Sequence, residues 1–227
     1  VMERRLRQHN YGVFSLDLGG LMWRFNTRSI EYQSRWLADK IERIAEKHHL
    51  EKIHIIGHSM GALVAMVLAT GMFGLKPSAT LGFGLKCDWP DEEREKLIAF
   101  AQKPIRWFDD GAEAINRYLM VSGLIGLVDP ASPDLRSAIY EGETGFRLAA
   151  DPKTVTVGGP PSGVFESARN TTPIRLACGE HDTVTHLEGL RKMDPDALIM
   201  DGLGHNCHVE DPAAVWRLVT EFIEAAA

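Results

Sequence analysis

Cysteine is scarce in this chain: three residues, Cys87, Cys178 and Cys207, scattered over 227 positions. An odd, dispersed set gives no disulfide framework and favours a reducing compartment. None shows metal-ligand spacing, so no metal site is expected. Basic charge is also short, with 25 Lys and Arg against 31 Asp and Glu and a net charge of −6. Without a dense basic stripe, a nucleic-acid partner is not expected. No apolar run reaches the length of a membrane span and no leader pattern is visible. The expectation is therefore a cytoplasmic protein acting on a small molecule, with no membrane span; nothing fixes its oligomeric state. Internal repeats and low-complexity segments are lacking too. What remains is 44% hydrophobic and 25% charged, an ordinary globular composition. That length suits one large domain, or one domain with an inserted subdomain.

The apolar pattern alternates between strands and helices. Residues 1–10 read as the last turns of a helix, and residues 11–18 as a strand ending at Gly19-Gly20. A loop rich in bulky residues follows, then a helix from Ser29 as N-cap to about His48. Further strands are expected over residues 52–56, 79–85, 173–179 and 197–200. Asp211 and Pro212 open a closing helix that buries Val215, Trp216, Val219 and Phe222. Between residues 88 and 165 the alternation stops. Helices are expected at 91–102, 112–122 and 134–140, with few strands. The organisation read from this is a core of residues 1–87 and 166–227, with a helical cap or lid inserted at 88–165. The fold class is α/β, a mostly parallel sheet flanked by helices.

The most informative stretch is Ile53-His54-Ile55-Ile56-Gly57-His58-Ser59-Met60-Gly61-Ala62. A β-branched run, a Gly-x-Ser-x-Gly turn and an apolar helix start follow each other directly. A serine on such a turn is held in a strained conformation that exposes its hydroxyl. Flanking glycines carry no Cβ to clash with strand and helix. The helix N-terminus directs free N–H groups at any anion that develops there.

A serine hydroxyl becomes nucleophilic only with a base in reach and an acid to orient the base. Asp182 and His205 each follow a strand at its C-terminal end, where ligand sites of parallel sheets gather. The order Ser59, Asp182, His205 is the one that accompanies this elbow. The residues alone leave His208 as an alternative base and Glu180 as an alternative acid. Cys207, beside the histidine, is either a reactive thiol or a small packed residue.

Three motifs carry a resemblance: Gly57-His58-Ser59-Met60-Gly61, Gly179-Glu180-His181-Asp182, and Gly204-His205 with Glu210-Asp211-Pro212. Together they resemble the nucleophile elbow, acid turn and histidine loop of α/β-hydrolase-fold serine hydrolases of the esterase and lipase type. The resemblance implies Ser59 as nucleophile, His205 as base and acid, and Asp182 as the orienting carboxylate. It implies hydrolysis of a small or medium apolar carboxylic ester through an acyl-enzyme, with no cofactor. C–C bond hydrolysis, perhydrolysis and acyl transfer are alternatives on the same fold, as is a non-catalytic binding module. An aspartate nucleophile, as in dehalogenases and epoxide hydrolases, is disfavoured by Ser59. Met60 N–H is the expected oxyanion donor. Substrate-binding candidates are His58, Trp23, Phe25 and Trp107. No His-Gly pair precedes the elbow, so relative to the family the chain is expected to lack its first strands and the second donor loop, as in an inactive fragment. Gly19-Gly20 is the candidate substitute.

Overall fold

The computed structural model describes residues 6–8, 11–16, 29–87, 89–156 and 163–226. These divide into two compact units. One takes its residues from Val1–Leu16, Ile30–Asp88 and Gly159–Ala227, the other from Asp17–Ser29 and Trp89–Gly158.

The first unit is built on a parallel four-stranded sheet in the order β1-β2-β5-β6. Its strands are β1 (His54–His58), β2 (Ala79–Phe83), β5 (Ile174–Gly179) and β6 (Leu198–Met200). Register is set by pairs such as His58 with Phe83, Phe83 with Ala177, and Gly179 with Met200. All of β2 is buried, as a central parallel strand covered on both faces must be. On one face Leu81 and Phe83 join Val215, Leu218, Val219 and Ile223 in a common core. Those four come from the closing helix α8 (Pro212–Ala225), whose first turn is capped by Asp211 through the N–H groups of Ala213 and Ala214. On the other face, Gly82 meets Ala62 and Met66 of helix α2 (Met60–Ala69). Every residue of α2 from Ala62 to Ala69 is buried. A helix apolar on all sides must be enclosed on all sides. Helix α2 lies against β1, β2, helix α1 (Ile30–His48) and helix α5 (Val164–Thr171). Each fully buried Leu, Val or Met there contributes about 1.5–3 kcal/mol.

The strand expected over residues 11–18 is not present in the described part, 11–16, which forms no ladder. Tyr11 and Val13 still pack on the core around Leu81 and Val219, while Phe14 is exposed. Alternating burial is thus satisfied by packing alone, and strand β1 pairs only with β2 among the described residues.

The second unit holds helices α3 (Asp91–Ala101) and α4 (Gly111–Val121), the latter capped by Asp110 on Ala112 N–H. Where a third helix was expected, residues Pro133–Ala138 form a 3₁₀ turn. It runs into an antiparallel hairpin of β3 (Ile139–Gly142) and β4 (Gly145–Leu148). Phe146 extends the hairpin by exchanging main-chain hydrogen bonds with Phe108, at 2.7 and 2.8 Å. Another 3₁₀ turn, Pro152–Thr156, lies against α3.

The two elbow glycines are not equivalent. A Cβ on Gly57 would fall 2.4 Å from Gly61 O and 2.6 Å from Ala62 Cα, whereas one on Gly61 would meet nothing within 4 Å. Space, not turn conformation, makes Gly57 irreplaceable. Gly57→Ala is expected to cost at least about 3 kcal/mol, because rigid main chain would have to move. Gly61→Ala, at a helical position, should change stability by no more than about 1 kcal/mol in either direction. Urea unfolding of the two variants measures the contrast.

Candidate active site

Ser59 leaves the end of β1 with φ 54° and ψ −123°. Only Ser59 and His49 hold positive φ among the described non-glycine residues. Such a conformation costs on the order of 1–3 kcal/mol and survives only where its surroundings over-determine it. Here Ser59 N–H donates to Phe83 O of β2 at 2.9 Å, and Ser59 O accepts from Ala62 N–H at 3.0 Å. The turn is thereby fastened to the neighbouring strand and to the first turn of α2. Met60 opens that helix, where main-chain N–H groups have no acceptor within the helix.

The same ladder continues past the ends of the other strands. Gly84 N–H donates to Ala177 O at 3.0 Å, Glu180 N–H to Met200 O at 3.0 Å, and His181 N–H to Leu203 O at 2.8 Å. Each loop thus starts in register with its neighbour, which brings residues distant in sequence to one rim. Ser59 Oγ and His205 Nε2 lie 3.3 Å apart although 146 positions separate them. His205 Nδ1 lies 3.1 and 3.0 Å from the two carboxylate oxygens of Asp182. A carboxylate only accepts, so Nδ1 carries the proton and Nε2 is left to accept from the serine hydroxyl.

Asp182 is 5% exposed. Burial pushes its carboxyl pKa up, but the hydrogen bonds from His205, Val184 N–H and Thr185 N–H outweigh that and hold it below the usual carboxylate range. The two N–H groups reach Oδ1 at 2.7 and 3.0 Å. Asp182 therefore stays ionised against the imidazole.

The alternatives are placed elsewhere. Glu180 accepts from Gly202 N–H at 2.8 Å and is half exposed. His208 packs at a tilt against His58 with ring centroids 4.5 Å apart and against Phe83 at 5.8 Å. Cys207 is fully buried, donates its thiol hydrogen to Gly204 O at 2.9 Å, and is pushed by burial to a pKa of about 12. It is a packed residue, without the thiolate that reactivity needs.

Of the pocket candidates, His58 is part of this cluster. Its Nε2 lies 2.9 Å from His205 O, and its ring is 4.9 Å from that of His205. Trp107 belongs to the second unit, with Tyr140 6.2 Å away and the Arg147 guanidinium 5.7 Å from its ring. Trp23, Phe25 and the Gly19-Gly20 loop lie outside the described residues. One contributor was noted in sequence only as part of a motif: Glu210, whose carboxylate accepts from the N–H groups on both sides of His205. Among the described residues no helix is long and apolar enough to cross a membrane.

With fold and geometry in view, the class is plain: the chain belongs to the α/β hydrolase family, whose model its sequence matches over residues 2–218. Among curated proteins it is 27% identical over 210 residues to a Bacillus subtilis (strain 168) protein. That protein is provisionally named 2-succinyl-6-hydroxy-2,4-cyclohexadiene-1-carboxylate synthase, and the match covers 84% of this chain and 72% of the relative. Among solved structures it is similar to an M. tuberculosis esterase, with TM-score 0.67, 17% identity, and coverage of 92% of this chain and 75% of that one. It is also similar to a thioesterase domain from the curacin biosynthetic pathway, with TM-score 0.66, 18% identity, and coverage of 91% and 79%.

The half-buried histidine beside the serine has a consequence for stability. Burial, then the neighbouring His208, lowers the His58 pKa from the usual 6.5 to about 4. Between those values the unfolded chain binds more protons than the folded one, so stability is lost as pH falls from about 6.5 towards 4. The loss from this group is at most about 3 kcal/mol. In His58→Phe the melting temperature should fall less steeply over that range than in the unsubstituted protein. Parallel slopes in a thermal-melt series across pH would show that His58 titrates as it does in water.

Proposed function

We propose that this protein is a serine hydrolase that cleaves a carboxylic ester of a small or medium apolar substrate through an acyl-enzyme. The supporting observation is the continuous hydrogen-bonded line from Ser59 Oγ through the His205 ring to the Asp182 carboxylate. In this reading Ser59 Oγ attacks the ester carbonyl carbon while its proton passes to His205 Nε2. The resulting imidazolium is stabilised by the buried, ionised Asp182. The carbonyl oxygen takes up negative charge, and Met60 N–H at the start of α2 is the assigned donor to it. Collapse breaks the bond to the alcohol oxygen, which leaves with the proton from Nε2. Water, deprotonated by the same nitrogen, then attacks the acyl carbon; the bond to Ser59 Oγ breaks, the serine oxygen takes the proton back from Nε2, and the carboxylate is released. No step calls on a cofactor.

The geometry fits the chemistry on two further counts. The strained Ser59 backbone presents the hydroxyl at the carboxyl ends of the strands, and the Nε2 distance of 3.3 Å suits a resting site that tightens when substrate arrives. Names attached to similar structures, an esterase and a thioesterase, agree with acyl transfer to water. The Bacillus subtilis relative, named as a synthase of a cyclic succinyl carboxylate, supports a second reading. There the same three residues serve a carboxylate-bearing substrate and a reaction other than ester hydrolysis.

A fluorophosphonate probe should label Ser59 in the unsubstituted protein and leave Ser59→Ala unlabelled. Turnover of p-nitrophenyl esters should drop at least about a thousandfold in Ser59→Ala and by a similar order in Asp182→Asn. Retained turnover in Ser59→Ala would refute the nucleophile. Labelling of Ser59 without turnover of any p-nitrophenyl ester from acetate to octanoate would move the assignment to the second reading.

A further inference from the structure

The triad accounts for the side chain of His205, yet the side chain can aim only as well as its main chain is held. His205 sits in the loop between β6 and α7 (Cys207–Glu210), a helix of one turn. Loops of that kind are ordinarily the mobile part of a domain. Here three main-chain polar groups around His205 are taken by two side chains. Glu210 Oε2 accepts from Gly204 N–H, and Glu210 Oε1 accepts from Asn206 N–H at 3.0 Å. The carbonyl between them, His205 O, lies 2.9 Å from His58 Nε2. A carbonyl cannot donate, so His58 carries its proton on Nε2 and donates it there.

Nothing in the triad requires either residue, and each is well supported in its place. Glu210 is anchored by its own N–H, which donates to Asn206 O at 3.0 Å. Cys207 Sγ adds a bond to Gly204 O, so residue 204 is held through both its N–H and its carbonyl. His58 belongs to β1 one residue before Ser59, and its ring is wedged between those of Phe83, His205 and His208. Opposite them stands Gly84, with φ +64°. A Cβ there would be 3.1 Å from His205 Cε1 and 3.2 Å from His58 Cδ2. The two imidazoles are therefore pressed against bare main chain, and this packing leaves little room for either ring to tilt.

Given the triad reading above, on which this inference rests, we propose that Glu210 and His58 are positioning residues that clamp the main chain of His205 from both sides and thereby set the aim of its Nε2 at Ser59. The clamp links the nucleophile to its base by a second route. One route passes through the reacting atoms; the other runs from β1 through the His58 ring to the histidine carbonyl. Both start at adjacent residues of one strand, so a shift of the elbow carries the base with it.

A capping role for Glu210 would affect folding alone, and the test separates the two. Glu210→Gln keeps the size and one acceptor but sets an amide donor against the second N–H. His58→Phe keeps a ring of similar bulk and removes the donor. A misplacement of the base by a fraction of an ångström to one ångström should lower kcat roughly tenfold to a hundredfold in each variant. KM should stay within about twofold in Glu210→Gln, whose carboxylate is taken up by the main chain around His205, and His58→Gln, which restores a donor, should recover part of the loss seen in His58→Phe. Hydrogen–deuterium exchange on the unsubstituted protein supplies a readout without any variant: Gly204 and Asn206 N–H should exchange as slowly as strand amides. Folded variants with unchanged kcat would overturn the clamp, as would exchange of those two amides at open-loop rates. Should one variant not fold, the other and the exchange rates decide. Failure of the triad reading is told apart by the fluorophosphonate probe: without labelling of Ser59 in the unsubstituted protein that reading falls, whereas labelling at an unaltered rate in both variants removes only the clamp.

Discussion

The site depends on one steric fact: the main chain of the first α2 turn passes so close to Gly57 that no Cβ fits between. That approach lets the strand end and the helix begin within two residues. It forces Ser59 into φ 54°, a conformation that an isolated serine avoids. The strain is offset by what surrounds it. Eight consecutive buried residues of α2 fix the helix, and a hydrogen bond to Phe83 O fixes the strand side. A flexible turn would relax and draw the hydroxyl back towards the sheet; this one is trapped between two elements that cannot move independently.

From that corner the parallel sheet distributes order to the rest of the site. Neighbouring strands in register end at nearly the same level, so the loops that follow them start side by side. The main-chain bonds from Ser59 to Phe83, Gly84 to Ala177 and Glu180 to Met200 turn this into a continuous rim. The acid turn and the histidine loop are then adjacent for the same reason that β5 and β6 are paired. Convergence of residues far apart in the chain follows from strand order rather than from attraction between the side chains themselves.

Much of this was legible in the sequence because the strands are short apolar runs closed by glycine, and because helix starts such as Asp110 and Asp211 carry their own caps. Periodicity misled where it reports burial and not pairing. Tyr11 and Val13 alternate inward without a partner strand. The hairpin β3–β4 was hidden beneath an apparent helical pattern at residues 134–140. The signal that reveals it is Gly142-Glu143-Thr144-Gly145, a two-residue connection between glycines flanked by Tyr140 and Phe146. The equal weight given to Gly57 and Gly61 was another limit, since a motif shows that glycine is present but not which neighbour demands it. Glu210 and His58 were harder still. Both act on main-chain atoms of His205, and main-chain partners leave no mark in the pattern of side chains.

The electrostatics of the cluster follow the same logic of enclosure. The His58 ring lies in contact with those of both His205 and His208, and the Asp182 carboxylate stands 3.0 Å from His205 Nδ1. Burial is the largest effect on both His58 and His208 and lowers the pKa of each. His208 and His205 lower that of His58 further, and His205 lowers that of His208 against the opposing Glu210 carboxylate. Both are thereby kept neutral while Asp182 is kept ionised. The neutral rings hold shape through tilted contacts and through the bond from His58 Nε2 to His205 O.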